Sequence, residues 1–412
     1  MPVDTPGLGP KRDVSLYQKS TLFYNRSMAI TACRHFSGYK PCAKNSSCDS
    51  LCPSKDIPQS SLLIVHLGAL GAVVRSTSLL KAIKRKFPQS MITWVTDAPA
   101  HHLLKNHPGI DRVLTTAESD LLQLSALEFE AAFVIDKSLK AAGVLKKTTV
   151  DFIYGFVNDP RTGAILPATS AADELWSLGL DNHKKFFVNV KPETQLMIEA
   201  LELGGYQRDE YWLPLTESEE SQAQNRRAHW LEKKEILIGL NTGCSNVIAH
   251  KKWTVEYYRL LIKQIHKAHP NAAIVLLGGP EDTERNQAIA QDLNVISSET
   301  QSGLRDGLVS IAACDVVVTG DSLGMHMAIS QKKQVIAWFG PTCAHEIDLY
   351  DRGFKILTKS PCSPCWKRTC EKSIMCYDQV SLEEVLHALK SCCANSLSGR
   401  PAALNPTAEK MP

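Results

Sequence analysis

Asp321, Ser322 and His326 occupy one short stretch, Gly320-Asp321-Ser322-Leu323-Gly324-Met325-His326. The apolar run Val316-Val317-Val318-Thr319 precedes it and Met327-Ala328-Ile329 follows. That order predicts a buried strand, a tight polar turn and a helix. A helix starting there presents free backbone N–H groups and the positive end of its dipole, which suits it to hold phosphate. A carboxylate, a hydroxyl and an imidazole on the same turn can reach a sugar or the phosphate attached to it. Taken alone, the same residues also describe a capped helix with a core histidine. Other segments decide between the two.

Three further loops carry similar residue types. Gly68-Ala69-Leu70-Gly71 opens a helix, with Arg75 one turn on. It has neither the dinucleotide G-x-G-x-x-G pattern nor a G-K-(S/T) phosphate loop, so an NAD oxidoreductase is disfavoured. Asn241-Thr242-Gly243-Cys244-Ser245 is followed by Lys251-Lys252-Trp253-Thr254, and Gly278-Gly279-Pro280-Glu281-Asp282 comes next. After one more strand, Phe339-Gly340-Pro341-Thr342 follows the Asp321 turn.

The elements that must position these loops alternate. Strands are expected at 62–67, 91–96, 110–115, 129–135 and 152–156, with a basic amphipathic helix from Val73 to Phe87. Tyr211-Trp212-Leu213-Pro214-Leu215 reads as a linker, followed by a charged helix near 218–233. The alternation then restarts, with strands at 236–240, 273–277, 316–319 and 334–339 and helices at 255–268, 283–293, 304–313 and 323–329. Such alternation implies βαβ units and parallel sheets. The expected fold class is α/β of the GT-B type, two Rossmann-like domains facing across a cleft where ligands bind at the C-terminal ends of the strands. The expected boundaries are an irregular Cys-rich segment over 1–56, domains over 57–213 and 214–350, a Cys-rich segment with a returning helix over 351–393, and a disordered tail over 394–412.

Bulk properties narrow the function classes. With 412 residues, two domains are the first expectation. A net charge of +3, spread without a basic stripe, argues against nucleic acid as partner. The start of the chain lacks the apolar core of a signal peptide, and no run reaches the roughly 18 apolar residues of a membrane span. The expectation is a cytoplasmic protein, peripheral to a membrane at most.

Taken in order, the loops resemble glycosyltransferase family nine, the ADP-heptose:lipopolysaccharide heptosyltransferases. The resemblance runs from about Leu62 to the Cys-rich C-terminus. The family's first signature, L-G-x-(L/M)-G-D-V-(L/V)-x-(S/T)-T, here reads Leu67-Gly68-Ala69-Leu70-Gly71-Ala72-Val73-Val74-Arg75-Ser76-Thr77. The later signatures, N-x-G-(A/C)-S with K-x-W, L-G-G-P-E-D, and (N/D)-(S/T)-x-x-x-H, are all present, and Cys362-Ser363-Pro364-Cys365-Trp366-Lys367-Arg368-Thr369-Cys370 resembles the family's end. The resemblance implies transfer of a sugar, with inversion, from a nucleotide diphosphate donor such as ADP-heptose to a hydroxyl of a lipid-linked or glycan acceptor. It implies donor contacts from Thr242, Gly243, Ser245, Lys251, Gly279, Glu281, Glu284, Asp321, Ser322, Gly324 and His326. Acceptor contacts fall to Gly68, Ala69, Leu70, Gly71 and Arg75. Lys251 and the helix start can stabilise the departing diphosphate without a metal, and no cofactor is expected for transfer.

One position departs from the family. Ala72 stands where the G-D-V aspartate, the expected general base, belongs. The attacking hydroxyl must still lose its proton. Asp97 and Asp136, each just past an expected strand, are the candidate replacements, although an aspartate at such a position also commonly caps a loop. The alternatives are assistance from the acceptor or a phosphate, and a non-catalytic nucleotide-sugar-binding protein.

The thirteen cysteines are the last signal. Cys362 and Cys365 have a metal-ligand spacing, with Cys370 and Cys376 nearby, while Cys42, Cys48 and Cys52 follow Cys33 and His35 in the N-terminal segment. In a reducing compartment such groups are metal ligands or buried thiols rather than disulfides. Structural zinc, an iron–sulfur cluster and reduced thiols all stay open. If the last helix returns to the first domain, both groups meet.

Overall fold

The strand Ser60–Val65 alternates its side chains between two cores: Leu62 and Ile64 face one, Leu63 and Val65 the other, and all four are fully buried. A strand covered on both faces is the mark of a parallel sheet with helices on either side. The computed structural model describes residues 33–36, 38–49 and 51–399. The sheet built on this strand has the order β3-β2-β1-β4-β5-β6. Its members are β1 (Ser60–Val65), β2 (Ser90–Val95), β3 (Arg112–Leu114), β4 (Glu128–Val134), β5 (Thr149–Asn158) and β6 (Ile165–Pro167). All described pairings in it are parallel except β5 with β6.

A second six-stranded sheet has the order β12-β11-β10-β7-β8-β9. It comprises β7 (Ile236–Asn241), β8 (Ala272–Leu277), β9 (Ile296–Ser297), β10 (Val316–Gly320), β11 (Gln334–Phe339) and β12 (Gly353–Leu357). In both sheets the order reverses beside the first strand of the unit, between β1 and β4 and between β7 and β10. These switch points are where open α/β sheets place their ligands.

The linker is buried rather than solvated: Tyr211 and Leu213 are nearly inaccessible. It is tied to both halves. Trp212 N–H donates to Thr77 Oγ1 (2.9 Å), and Leu213 O accepts from Gln331 Nε2 (2.7 Å). The first tie explains a difference from expectation. Instead of one helix from Val73 to Phe87 there are two, Leu70–Ser76 and Leu79–Lys86. At the break Thr77 Oγ1 donates to Val74 O and accepts the linker amide. The charged helix, Glu217–Leu231, starts at a capping box formed by Thr216 and Glu219.

The last helix also differs. It runs Leu382–Ser398, beyond the expected end, and does not return to the first sheet. Val385, Ala388, Leu389, Cys392 and Cys393 form its apolar face and lie in the core of the second sheet with Ile238, Leu261 and Trp338. Those five residues sit at helical spacing on one face and are satisfied by burial there. The tail expected from 394 therefore begins as helix; residues 400–412 lie outside the described residues, as do 1–32. The described residues from Cys33 to Asp56 contain turns but no helix or strand.

Candidate functional site

The Asp321 turn stands at the end of β10, beside β7 at the switch point. Gly320 makes its closest approach possible. A Cβ there would lie 2.2 Å from Lys251 O, so only glycine lets the segment carrying Lys251 cross the strand end. That crossing brings Lys251 Nζ to 3.6 Å from Asp321 Oδ2, with both side chains largely buried. Burial would raise the Asp321 carboxyl, but the Lys251 cation, with Arg75 further off, more than offsets it and holds the group below its usual range. The turn is thus an ionised carboxylate paired with a cation.

Below the turn, Asn241 at the end of β7 donates from Nδ2 to Ser322 Oγ (2.9 Å), Thr319 Oγ1 (3.0 Å) and Gly243 O (3.1 Å). Asn241 thereby fixes two of the signature loops to each other. Ser322 occupies the N-cap of the Leu323–Ser330 helix, but its hydroxyl makes no cap bond. The first-turn N–H groups take no side-chain oxygen and suit a phosphate. Gly324 packs directly against Asn241.

The other expected donor residues divide. Thr242 is fully buried, and its hydroxyl is spent on Leu277 O and Asn286 Oδ1. Gly279 N–H is taken by Asp282 (3.0 Å). Ser245 is exposed and its Oγ accepts from Val247 N–H (3.2 Å). Glu281 and Glu284 are exposed beside the loop after β8. Trp253 supports the Lys251 segment from below, stacked on Trp338 at 5.0 Å between ring centroids.

His326 is 5% exposed and lies between the two halves. Its ring is 5.9 Å from Tyr211 of the linker, and a Cβ on Gly71 would meet His326 Cδ2 at 2.5 Å. Burial, with Arg75 next, depresses its pKa to about 3, so the imidazole is neutral. Its observed contacts are those of a seam. Gly71→Ala should force this seam apart. Overpacking of that kind costs about 1–3 kcal/mol, and the expected result is a lower Tm by calorimetry together with weaker donor binding. An unchanged Tm would show that the seam yields freely.

The first half supplies the facing groups. Gly68 and Ala69 are exposed after β1, and Leu70 packs on the core. Arg75 is nearly buried and pairs with Glu193 (2.6 Å). Lys185 lies 3.6 Å from Glu346 of the second half. Burial, with Glu193 second, pushes Glu346 up to about 7. Lys185, Glu193 and Glu346 carry no local sequence signal; the fold alone brings them to Arg75 and Asp321, whose charges act on Glu346.

The two candidate bases differ. Asp97 is engaged by Lys140 Nζ (2.7 Å to both oxygens) and Thr116 Oγ1 (2.5 Å). Asp136 follows β4 next to β1; its Oδ2 accepts Leu67 N–H, one residue before the glycine loop, and its Oδ1 is 3.9 Å from His66. Burial pushes its pKa up to about 6. A carboxyl so poised can take a proton near neutral pH.

All thirteen cysteines are free thiols. Cys376 is buried against Gly340, and its neighbours Cys362, Cys365 and Cys370 act on it electrostatically. Among the described residues, the group of three or more potential ligand atoms that closes to within 4.8 Å is Cys343, His345 and Glu346, not the expected cysteines. Cys343 Sγ there accepts from the Trp366 indole (3.3 Å), and His345 Nε2 bonds Lys185 O (3.1 Å).

The model of the family described as glycosyltransferase family 9 (heptosyltransferase) matches residues 121–375. Lipopolysaccharide heptosyltransferase 2 of Salmonella typhimurium is 25% identical over 300 residues, covering 68% of this chain and 83% of that protein. Among solved structures, a glycosyl transferase family 9 protein from Veillonella parvula superposes with a TM-score of 0.65 at 18% identity, covering 82% of this chain and 98% of that one. The E. coli heptosyltransferase WaaC with ADP gives a TM-score of 0.54 at 16% identity, over 82% and 99% of the two chains.

Proposed function

The chain belongs to glycosyltransferase family 9, and from that premise we propose that it moves a heptose from ADP-heptose to a hydroxyl of a lipopolysaccharide core, with inversion at the anomeric carbon. It is a glycosyltransferase of GT-B fold. The observation that carries the finer reading is the Lys251–Asp321 pair at the start of the Leu323–Ser330 helix. The donor diphosphate sits against the uncapped N–H groups, with Lys251 neutralising the charge that grows as the sugar departs. Asp321 accepts from a sugar hydroxyl. Asp136 takes the acceptor proton, and Arg75 orients an anionic acceptor group. Thr242, Gly243 and Gly279 shape the donor loop, while Glu281, Glu284 and Ser245 are the exposed groups left for the nucleoside. A sugar crossing from donor to acceptor in one displacement leaves with the opposite anomeric configuration.

No metal takes part in this scheme, and metal at the C-terminal thiols would be structural. Transfer should therefore survive EDTA, with circular dichroism confirming that the fold is intact; loss of rate restored by magnesium would refute metal-free leaving-group stabilisation. An acceptor linked to lipid implies work at the cytoplasmic membrane face. No helix among the described residues is long and apolar enough to cross a membrane.

Ala72 favours a second reading, a binding protein without turnover. Radiolabelled or mass-resolved transfer from ADP-heptose separates the two. With Asp136 as base, the native protein is active and Ala72→Asp adds little. If the native protein is inert and Ala72→Asp confers activity, the base is missing rather than moved.

A further inference from the structure

Cys33, Cys42, Cys48 and Cys52 line one cavity in the N-terminal segment, together with His35 and Asp49. Among the described residues, its lining comes from 33–55 alone. Around it the chain makes only turns, several of them at the cysteines: Phe36 N–H bonds Cys33 O, Asn45 N–H bonds Cys42 O, and Lys55 N–H bonds Cys52 O. Tyr39 and Leu51, two of its large apolar side chains, are 80% and 88% exposed. So little apolar burial does not hold a segment of this size in one conformation, and small units of this kind depend on a covalent or metal staple. All four cysteines are free thiols, so the staple is not a disulfide.

The geometry selects among metals. A single zinc ion with Zn–S near 2.3 Å draws its four sulfurs to within about 3.8 Å of each other. Here no three of these ligand atoms lie within 4.8 Å of one another. A polynuclear centre spreads its thiolates over more than one iron and accepts the wider set. The sulfurs also have the donors that such centres use: Asp56 N–H to Cys33 Sγ (3.5 Å) and Asn45 Nδ2 to Cys52 Sγ (3.3 Å). Lys55 lines the cavity, and Lys44 lies 3.1 Å from His35 Nε2, so positive charge is at hand for an anionic centre.

We propose that Cys33, Cys42, Cys48 and Cys52 bind an iron–sulfur cluster that orders the N-terminal segment. Ligation releases the four thiol protons to solvent and oxidises nothing in the protein. The inference goes beyond the sugar-transfer reading and does not depend on it.

The test is chemical analysis of the full chain purified without oxygen, or reconstituted with ferric iron, sulfide and a thiol reductant that supplies the electrons for any ferrous sites. Iron and acid-labile sulfide in similar amounts are expected, with broad visible absorption bleached by dithionite. The double variant Cys42→Ser/Cys48→Ser should lose both to background, and Cys362→Ser/Cys365→Ser should keep both. Zinc without sulfide, no bound metal, or loss confined to the Cys362/Cys365 variant would each overturn the proposal. Should the N-terminal variant prove insoluble, two results on soluble protein decide: iron and sulfide in the native chain, and their persistence in the Cys362/Cys365 variant.

Discussion

Asp136→Asn is expected to lower kcat by about 10²–10⁴-fold, the usual loss when a general base is removed, and to leave the affinity for ADP-heptose unchanged. Asparagine keeps the oxygen that accepts Leu67 N–H, so the β1–β4 contact persists while the proton acceptor is lost. In the native enzyme the rate should fall as pH drops through about 6, where the carboxyl protonates. Stability should move the other way. The folded pKa lies above the ordinary value of 3.8, so the folded state binds the proton more tightly. Stability therefore declines as pH rises from about 4 to about 6, and the cost is fully in force above that window. Asp136→Asn removes it, which should raise stability at pH 7 by about 1–3 kcal/mol and leave little difference below pH 4. An inactive variant that is also less stable would mean structural damage. An active one would exclude Asp136 as the base and turn attention to Asp97.

The second large effect is expected at Lys251. Lys251→Ala should lower kcat/KM by about 10²–10³-fold, comparable to the loss of one preorganised donor to a developing negative charge. Its backbone oxygen would still cross Gly320, so the loop should hold its course. The variant has a second signature. Lys251 is the chief influence holding the Asp321 carboxyl down against burial. Without it burial prevails, the Asp321 pKa rises, and donor binding should weaken with acidification at a higher pH than in the native protein. Isothermal titration across pH checks this. If kcat/KM changes by less than about twofold, the cation is not acting on the leaving group.

The strands that carry these residues were legible because each is a short apolar run ending in a glycine-rich turn, as at Val316–Gly320. What escaped is short, or fixed by distant partners. β9 has two residues and β6 three, too few for any periodicity to register. The break at Thr77 depends on an amide 135 residues away. The loops around Asp321 were legible as chemistry because their residues are adjacent in sequence. Arg75, Lys185, Glu193 and Glu346 form a group only after both halves fold, and no spacing announces it. Nor does spacing distinguish Asp97 from Asp136; the ion pair to Lys140 on one and the burial of the other do. The C-terminal helix misled because its apolar stripe states that it is buried but not against which sheet.

Three buried imidazoles have a common consequence for acid tolerance. His66 and His326 are held at about 3 and His107 at about 4, in each case chiefly by burial. His107 shows why locally: its Nδ1 accepts from Gly109 N–H (3.0 Å), and its Nε2 bonds Trp212 O (2.5 Å), so neither nitrogen is free to take a proton. Unfolded, all three would protonate near 6.5. Their contribution is therefore complete above that value and drains away as pH falls through about 4 for His107 and about 3 for His66 and His326. Two of the three contact the linker, His107 through Trp212 O and His326 through the Tyr211 ring. Acidification thus strains the joint between the halves, while the tyrosines and cysteines within the apolar clusters, their pKa values raised by burial, stay neutral and take no part. Mild acid should act on this enzyme as a wedge, parting donor half from acceptor half before either one melts.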